Sequence, residues 1–469
     1  MKYAVTILLL LFIQFFTSAQ VKIGGTAGAP NASSVLEVES TNKGLLLPRL
    51  TSAQRKAIVN PATGLLVFDV NLSTFMFWDG FLWRGFVPEA PAALPPTTIS
   101  IASPNGSFGI SVDMQGNFAV VGTYYQRKAY LFELSNNAWL LRDTLKPLTG
   151  NSSDYENAYS FGSAVAISDN FIAIGAPEAN SNIGAVYLFK KSGGKWVTNS
   201  AQKVVISNFQ GQFGTSVDLS DNILAVGSPN FSNARGAVFF FNIQDPNMMN
   251  TYFTAASSVG GDRMGSSVAI SGNHVAVGWP YATVNSLDSS GRVTFYEKVN
   301  GSFQFLPAGE LFSFLPDMLF GYSIALDGDA CVIGAPKGFY TETYGHIQFA
   351  DFHNGSWQQR GGLISDAGAD LEAAVGDHFG WSVAFKNGYA IAGSNKTNIA
   401  NSYFTIIRYN GFAAADPARL RRVYTNQSFQ KYSTGERYAV ATNGTQFLAA
   451  LPWGGSDNNG QVFLGNINQ

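Results

Sequence analysis

Five segments place a serine two residues after a glycine: Gly109-Ile110-Ser111, Gly214-Thr215-Ser216, Gly265-Ser266-Ser267, Gly321-Tyr322-Ser323 and Gly380-Trp381-Ser382. A nucleophile elbow begins this way, exposing a serine for acyl transfer. The elbow also needs a glycine two residues after the serine, and none of the five has one. Five copies in one register read as structure. Lys190-Lys191-Ser192-Gly193-Gly194-Lys195 has the composition of a phosphate-cradling loop, but no helix pattern follows it. His274, His346, His353 and His378 lack metal-ligand spacing. His274 and His346 open strands, which suits packing or capping. Asp366, Asp370, Glu372 and Asp377 cluster in one long loop, either solvated or holding an adventitious cation. Cys331 lies in the apolar run Ala330-Cys331-Val332-Ile333 and reads as a buried, inert thiol.

The composition agrees with this shortage of chemistry. The 469 residues hold 29 Lys+Arg against 31 Asp+Glu, so no basic field exists to draw nucleic acid. One cysteine excludes a disulfide framework and a Cys-based metal site. Charged residues are only 13%, aromatics 14%, and glycine occurs 49 times. That combination predicts an all-β chain with many turns.

The chain opens with Met1-Lys2, an apolar run from Ala4 to Phe16, then Thr17-Ser18-Ala19-Gln20. This is the pattern of a cleavable signal peptide over residues 1–19, and the run is short for a membrane span. The expectation is a protein exported to the cell surface or beyond, with no membrane insertion after signal removal.

The elements that carry the glycines repeat. Phe161-Gly162, Ile174-Gly175-Ala176-Pro177 and Gly184-Ala185-Val186-Tyr187 form one sentence. It recurs from Phe108-Gly109, Phe213-Gly214, Met264-Gly265, Phe320-Gly321 and Phe379-Gly380, and in degenerate form from Glu436-Arg437. Copies start between 51 residues (Gly214 to Gly265) and 59 residues (Gly321 to Gly380) apart. Each copy reads as four short strands with turn signals between them. Seven such copies predict a seven-bladed β-propeller over residues 97–469, because radial closure protects sheet edges. The seventh copy ends after its third strand, and residues 98–103 read as a fourth. Those residues are expected to complete the last blade and tie the ring shut.

These repeats resemble FG-GAP repeats, the units of the integrin α-subunit propeller, and most closely a bacterial variety. The resemblance covers about residues 97–469, with the seventh copy departing at Glu436-Arg437. Many FG-GAP blades carry an acidic calcium loop between the first two strands. Here that hairpin holds two residues in every copy: Gly116-Asn117, Asp169-Asn170, Asp221-Asn222, Gly272-Asn273, Gly328-Asp329, Asn387-Gly388 and Gly444-Thr445. Such pairs suit type I′ turns, and two residues cannot wrap an ion that takes six to eight oxygens. No metal and no other cofactor is expected.

Residues 20–86 form a second, small module. Thr51 is placed to cap a short helix running to Val59, and Pro61 ends it. Three runs then predict a β-meander: Gly64 to Asp69, Thr74 to Trp78 and Phe81 to Arg84. The string Lys43 to Leu50, followed by Asn60-Pro61-Ala62-Thr63-Gly64 and the Trp-Asp-Gly hairpin, resembles a module of exported Bacteroidetes-type surface proteins. Its last part resembles hairpins of phage tail-fibre tips. So small a module exposes much apolar surface, so homo-oligomerisation, as trimers in the manner of fibres, is expected. Pro88, Pro91, Pro95 and Pro96 mark residues 87–96 as a linker.

The longer loops, joining strands two to three and four to one, share one propeller face. They carry Tyr124, Tyr125, Tyr155, Tyr159, Tyr281, Phe339, Tyr340, Tyr344 and Trp453. Aromatics on variable loops build recognition sites, although rings at such positions also pack between blades. Tyr124, Tyr125, Tyr281, Tyr340 and Trp453 are the candidate ligand-binding residues. The expected function is non-catalytic binding or adhesion toward a protein or glycan ligand. A structural envelope or matrix role, or a hydrolase or lyase with its site in the propeller channel, are the alternatives. The first strands, read as mainly Ser, Val, Ala and Ile, argue against the enzyme.

Overall fold

The computed structural model describes residues 21–25, 29–51, 54–55, 57–70, 74–78, 83–85, 97–99, 107–136, 138–149, 153, 157–206, 210–244, 249–254, 260–337, 345–365, 378–394, 403–409, 418–424, 439–452 and 460–467. The expected signal peptide, the linker over 87–96, the acidic loop from Asp366 to Asp377 and the pair Glu436-Arg437 lie outside the described residues. The chain divides into two compact units, residues 1–91 and 92–469.

In the first unit, Val21–Gly24 pairs in parallel with Leu36–Glu39, an element the sequence pattern did not announce. A second sheet runs Arg49–Leu50, Leu66–Asp69, Thr74–Trp78 and Trp83–Gly85. Its last three strands are the expected meander, and the first joins in parallel. Thr51 does cap the helical turn. Its Oγ1 accepts the Gln54 N–H at 3.2 Å, and Gln54 Oε1 accepts the Thr51 N–H at 2.9 Å, a reciprocal capping box. Described helical residues here are Gln54 and Arg55 alone. Arg55 then donates from Nε to Asp69 Oδ2 at 2.8 Å with both side chains buried, which fastens the turn to the sheet.

The second unit holds, among the described residues, seven sheets of at least four strands. The third sheet shows the pattern. Ser216–Ser220 alternates in burial, Ile223–Ser228 is buried throughout, and Ala237–Asn242 is buried up to its last residue. A strand covered on both faces needs a continuous apolar run, and Ile223-Leu224-Ala225-Val226 supplies it. The first strands lie side by side in chain order, and Ala439–Thr442 of the last sheet adjoins Val112–Gln115 of the first. Apolar layers fill each seam. Between the last and first sheets, Phe108, Met114 and Val121 pack with Leu448, Ala450 and Val462. The seventh sheet takes its fourth strand from the N-terminal side: Thr97–Ile99 pairs antiparallel with Gln461–Asn466. Residues 100–103 of the expected closing strand lie outside the described residues.

The motif glycines sit where sheets touch. A Cβ on Gly227 would lie 2.0 Å from the Gly265 carbonyl oxygen of the next sheet, and one on Gly460 would lie 2.1 Å from Phe108 O. Backbone approach alone fixes Gly227, whereas Gly460 combines it with a left-handed φ of 81°.

Three details differ from expectation. The fourth strand of the second sheet is split into Lys195–Trp196 and Gln202–Val204, both pairing with Ala185–Ser192. Asn180-Ser181-Asn182 and Ser232-Asn233-Ala234 each make one left-handed turn. The hairpins are not uniformly type I′: Asn387-Gly388 has positive φ at both residues, whereas Gly116-Asn117, Gly272-Asn273 and Gly328-Asp329 have it at the first alone.

Candidate functional site

The repeated serines hold sheets together. Ser111 Oγ donates to Gly162 O at 2.6 Å, Ser216 to Gly265 O at 2.9 Å, Ser267 to Gly321 O at 2.7 Å and Ser323 to Gly380 O at 2.8 Å. Ser382 Oγ accepts the Val440 N–H at 3.1 Å. Each bond crosses from one sheet to its successor, so none of these hydroxyls is positioned as a nucleophile.

The first strands line a central cavity of about 610 Å³. Reading their lining as Ser, Val, Ala and Ile needs correction, because Asp113, Asp218 and Lys386 line it too. Asp113 Oδ2 accepts the Ile167 N–H at 2.7 Å and its Oδ1 the Met114 N–H at 2.8 Å. Asp218 repeats the arrangement with Ile270 (2.7 Å) and Leu219 (2.8 Å). Burial, and then the Asp218 carboxylate, push the Asp113 carboxyl up to about 7, against the two N–H bonds and Lys386. Burial pushes Asp218 up to about 6. No histidine, cysteine, tyrosine or arginine is among the described residues lining this cavity.

The tight turns are tied to one another as well. Asp327 accepts Lys386 Nζ at 2.7 Å and the Asn387 N–H at 2.8 Å, which uses both oxygens of the acid that opens the Asp-Gly-Asp turn. Asp329 Oδ1 lies 3.2 Å from His274 Nδ1. His274 is buried, its ring 4.4 Å from that of Phe352, so it packs as expected. The buried His346 Nδ1 has no hydrogen-bond partner, and burial lowers this imidazole's pKa. Among the described residues, no group of three or more His, Cys, Asp or Glu side chains could hold a metal ion.

On the longer loops, Tyr125 is 63% exposed and Tyr159 54% exposed. Tyr124 meets Tyr125 edge-on at 4.9 Å, and its hydroxyl donates to Glu178 of the next sheet's loop. The Tyr124 N–H donates to Ser107 Oγ at 2.8 Å. The Arg127 guanidinium covers the Tyr159 ring at 4.5 Å. Tyr281 stands on a loop of the fourth sheet, half-buried, with the Arg263 guanidinium 4.8 Å above its ring. Tyr340 and Trp453 lie outside the described residues, as do Tyr155, Phe339 and Tyr344. The sequence reading missed Arg127, Arg263 and Glu178. Arg127 lies two residues after Tyr125, which was the available signal, whereas Arg263 and Tyr281 stand 18 positions apart and gave none.

Serine bonds, glycine contacts and paired sheets define the repeat physically, and one comparison fits it. Residues 149–189 match the FG-GAP repeat family. The FG-GAP repeat accounts for the all-β architecture and implies a β-propeller. Residues 22–100 match the phage tail-like trimerisation region. No curated protein matches the chain. A chain from the crystal structure of the mitotic checkpoint complex is similar at 12% identity and a TM-score of 0.50, covering 82% of this chain and 95% of that one. At that identity the likeness concerns the fold alone. Among the described residues, no helix is long and apolar enough to cross a membrane.

Proposed function

We propose that this chain is an exported, non-catalytic binding protein. A seven-bladed propeller over 97–469 presents its loop face to a protein or glycan ligand, and the module over 20–86 joins copies of the chain as a homotrimer. Residues 1–19 direct export and are removed. Tyr124, Tyr125, Tyr281, Tyr340 and Trp453 make the ligand contacts.

The observation that carries this reading is the pair Tyr124 and Tyr125. Tyr125 presents most of its ring to solvent while Tyr124, held by Glu178, supports it from the side. An exposed aromatic fixed in place loses little entropy on binding, the usual make-up of an interaction hot spot. The two acids that the first strands bring to the cavity favour the non-catalytic reading: both oxygens of Asp113 and of Asp218 already accept backbone N–H groups. The apolar surface of the first unit favours self-association, since Val21, Ile23, Leu36, Leu45 and Leu46 are all exposed in the single chain.

The test is surface-plasmon-resonance binding of the purified full chain to arrayed polysaccharides, matrix proteins and cells, with and without EDTA. The expected result is saturable binding that survives EDTA and weakens at least about tenfold in Tyr125→Ala with an unchanged Tm. Binding indifferent to Tyr125→Ala and Tyr281→Ala would sink the loop-face assignment. Light scattering should give three times the 50.3 kDa of one chain, less the leader. A monomer would remove the trimer.

A further inference from the structure

The face opposite these loops carries a second cavity, of about 540 Å³, whose lining includes Asn117, Leu134, Asn387, Asn443, Gln446 and Asn466. It lies where the seventh sheet meets the first, with the Lys386-Asn387 turn of the sixth sheet on its border, and Asn443 Nδ2 donates to Gly116 O at 2.9 Å across the seam of the seventh and first. Its volume falls within the roughly 300–1,000 Å³ of small-molecule sites.

Amides set its chemistry. Asn443 builds the wall: its Oδ1 accepts the N–H groups of Thr445 at 3.0 Å and Gln446 at 2.8 Å. Gln446 Nε2 donates to Asn466 Oδ1 at 3.3 Å, which leaves Gln446 Oε1 as an acceptor. Asn117 and Asn387 are exposed, and each amide brings a donor pair and an acceptor. Among the described residues of the lining Lys386 is the one that is charged, and its ammonium sits 2.7 Å from Asp327 Oδ1. Leu134 supplies the apolar portion.

This combination selects by elimination. An anion meets only a cation that is already paired. A fully apolar ligand would leave the amides unsatisfied, at the cost of their desolvation. Adjacent hydroxyls, each donor and acceptor at once, match side-chain amides, and the C–H face of a sugar ring matches Leu134. The geometry points to a binding site for a neutral oligosaccharide at the seam of the seventh and first sheets, distinct from the loop face proposed above.

The experiment is isothermal titration of the purified full chain with maltopentaose, cellopentaose, laminaripentaose and mannopentaose. Trigalacturonate serves as the anionic control and a Gly-Ser decapeptide as the uncharged peptide control. The expected result is saturable binding of at least one neutral sugar, weakened about tenfold by Asn117→Ala and by Gln446→Ala at unchanged Tm. Tyr125→Ala should leave it unaltered, so the two faces are read separately. Asn117 is an exposed turn residue, so that variant keeps the test valid if Gln446→Ala fails to fold. The proposal is overturned if no neutral sugar saturates, if the peptide or trigalacturonate binds instead, or if Asn117→Ala leaves the sugar affinity unchanged.

Discussion

The Asp113 carboxylate accepts the backbone N–H of Ile167 at 2.7 Å, reaching from the first strand of one sheet to the first strand of the next. Asp218 makes the same bond to Ile270. The other five first strands place alanine at this register: Ala166, Ala269, Ala325, Ala384 and Ala441. Two seams of the ring are therefore bolted through a carboxylate, and acidity should be felt there.

The carboxyls of Asp113 and Asp218 titrate near 7 and 6 in the folded chain, against an ordinary value of 3.8. The folded state thus keeps protons that the unfolded state has already released. Stability should fall as pH rises from about 4 to about 7 and level off above that. Among nearby charges, Lys386 opposes the shift at both acids and Asp218 reinforces it at Asp113. Thermal melts should give a lower Tm at pH 8 than at pH 5, and the double variant Asp113→Asn/Asp218→Asn should narrow that gap. An unchanged gap would mean that other groups set the pH response.

Gly227→Ala puts a methyl 2.0 Å from a backbone carbonyl, where nothing flexible can yield. Overpacking of this kind costs about 1–3 kcal/mol or more. Gly116 meets nothing within 4 Å, and its left-handed φ of 56° makes Ala cost only about 1 kcal/mol. Urea melts should rank Gly227→Ala well below Gly116→Ala. Equal midpoints would contradict the backbone-contact explanation of the motif glycine.

Tyr409 Oη donates to Asp351 Oδ2 at 2.5 Å in the interior, and its ring stacks on Phe349 at 4.4 Å. Burial, then the neighbouring carboxylate, raise the pKa of this phenol, so it stays a donor throughout the working range. Tyr409→Phe keeps the stack and removes the donor, which should cost about 1–3 kcal/mol in denaturant midpoints. A variant as stable as the parent would show that Asp351 finds another donor.

Cys331 is the sole cysteine, fully buried, and burial pushes its thiol pKa upward. Ellman's reagent should find no thiol in the folded chain and one in concentrated guanidinium. Rapid labelling of the folded chain would refute the inert-thiol reading.

Legibility followed locality. Hairpins, strand order and the Thr51 cap depend on neighbours in sequence, and Phe213-Gly214 or Asp221-Asn222 announces them directly. The paired roles of Gly227 with Gly265, or of Asp113 with Ile167, depend on the register between repeats, which no single repeat encodes. Asp113 looked like one polar residue among alternating ones, because its partner stands 54 positions away. The parallel pairing of Val21–Gly24 escaped notice for a related reason: a four-residue strand has no period to read. Tyr125 was legible as a loop aromatic, whereas its support by Tyr124 and Glu178 required the loop of the following sheet.

The strand Thr97–Ile99 meets its partner Gln461–Asn466 only across the whole length of the ring. During synthesis from the N-terminus, Thr97–Ile99 emerges first among these strands and its partner Gln461–Asn466 last. Every intermediate in between carries an open edge at both ends of the growing array. Folding of this unit therefore ends on its most non-local step, a late and slow docking. A chaperone or neighbouring copy acting before that moment would encounter an edge of Gln461–Asn466 that the finished sheet pairs.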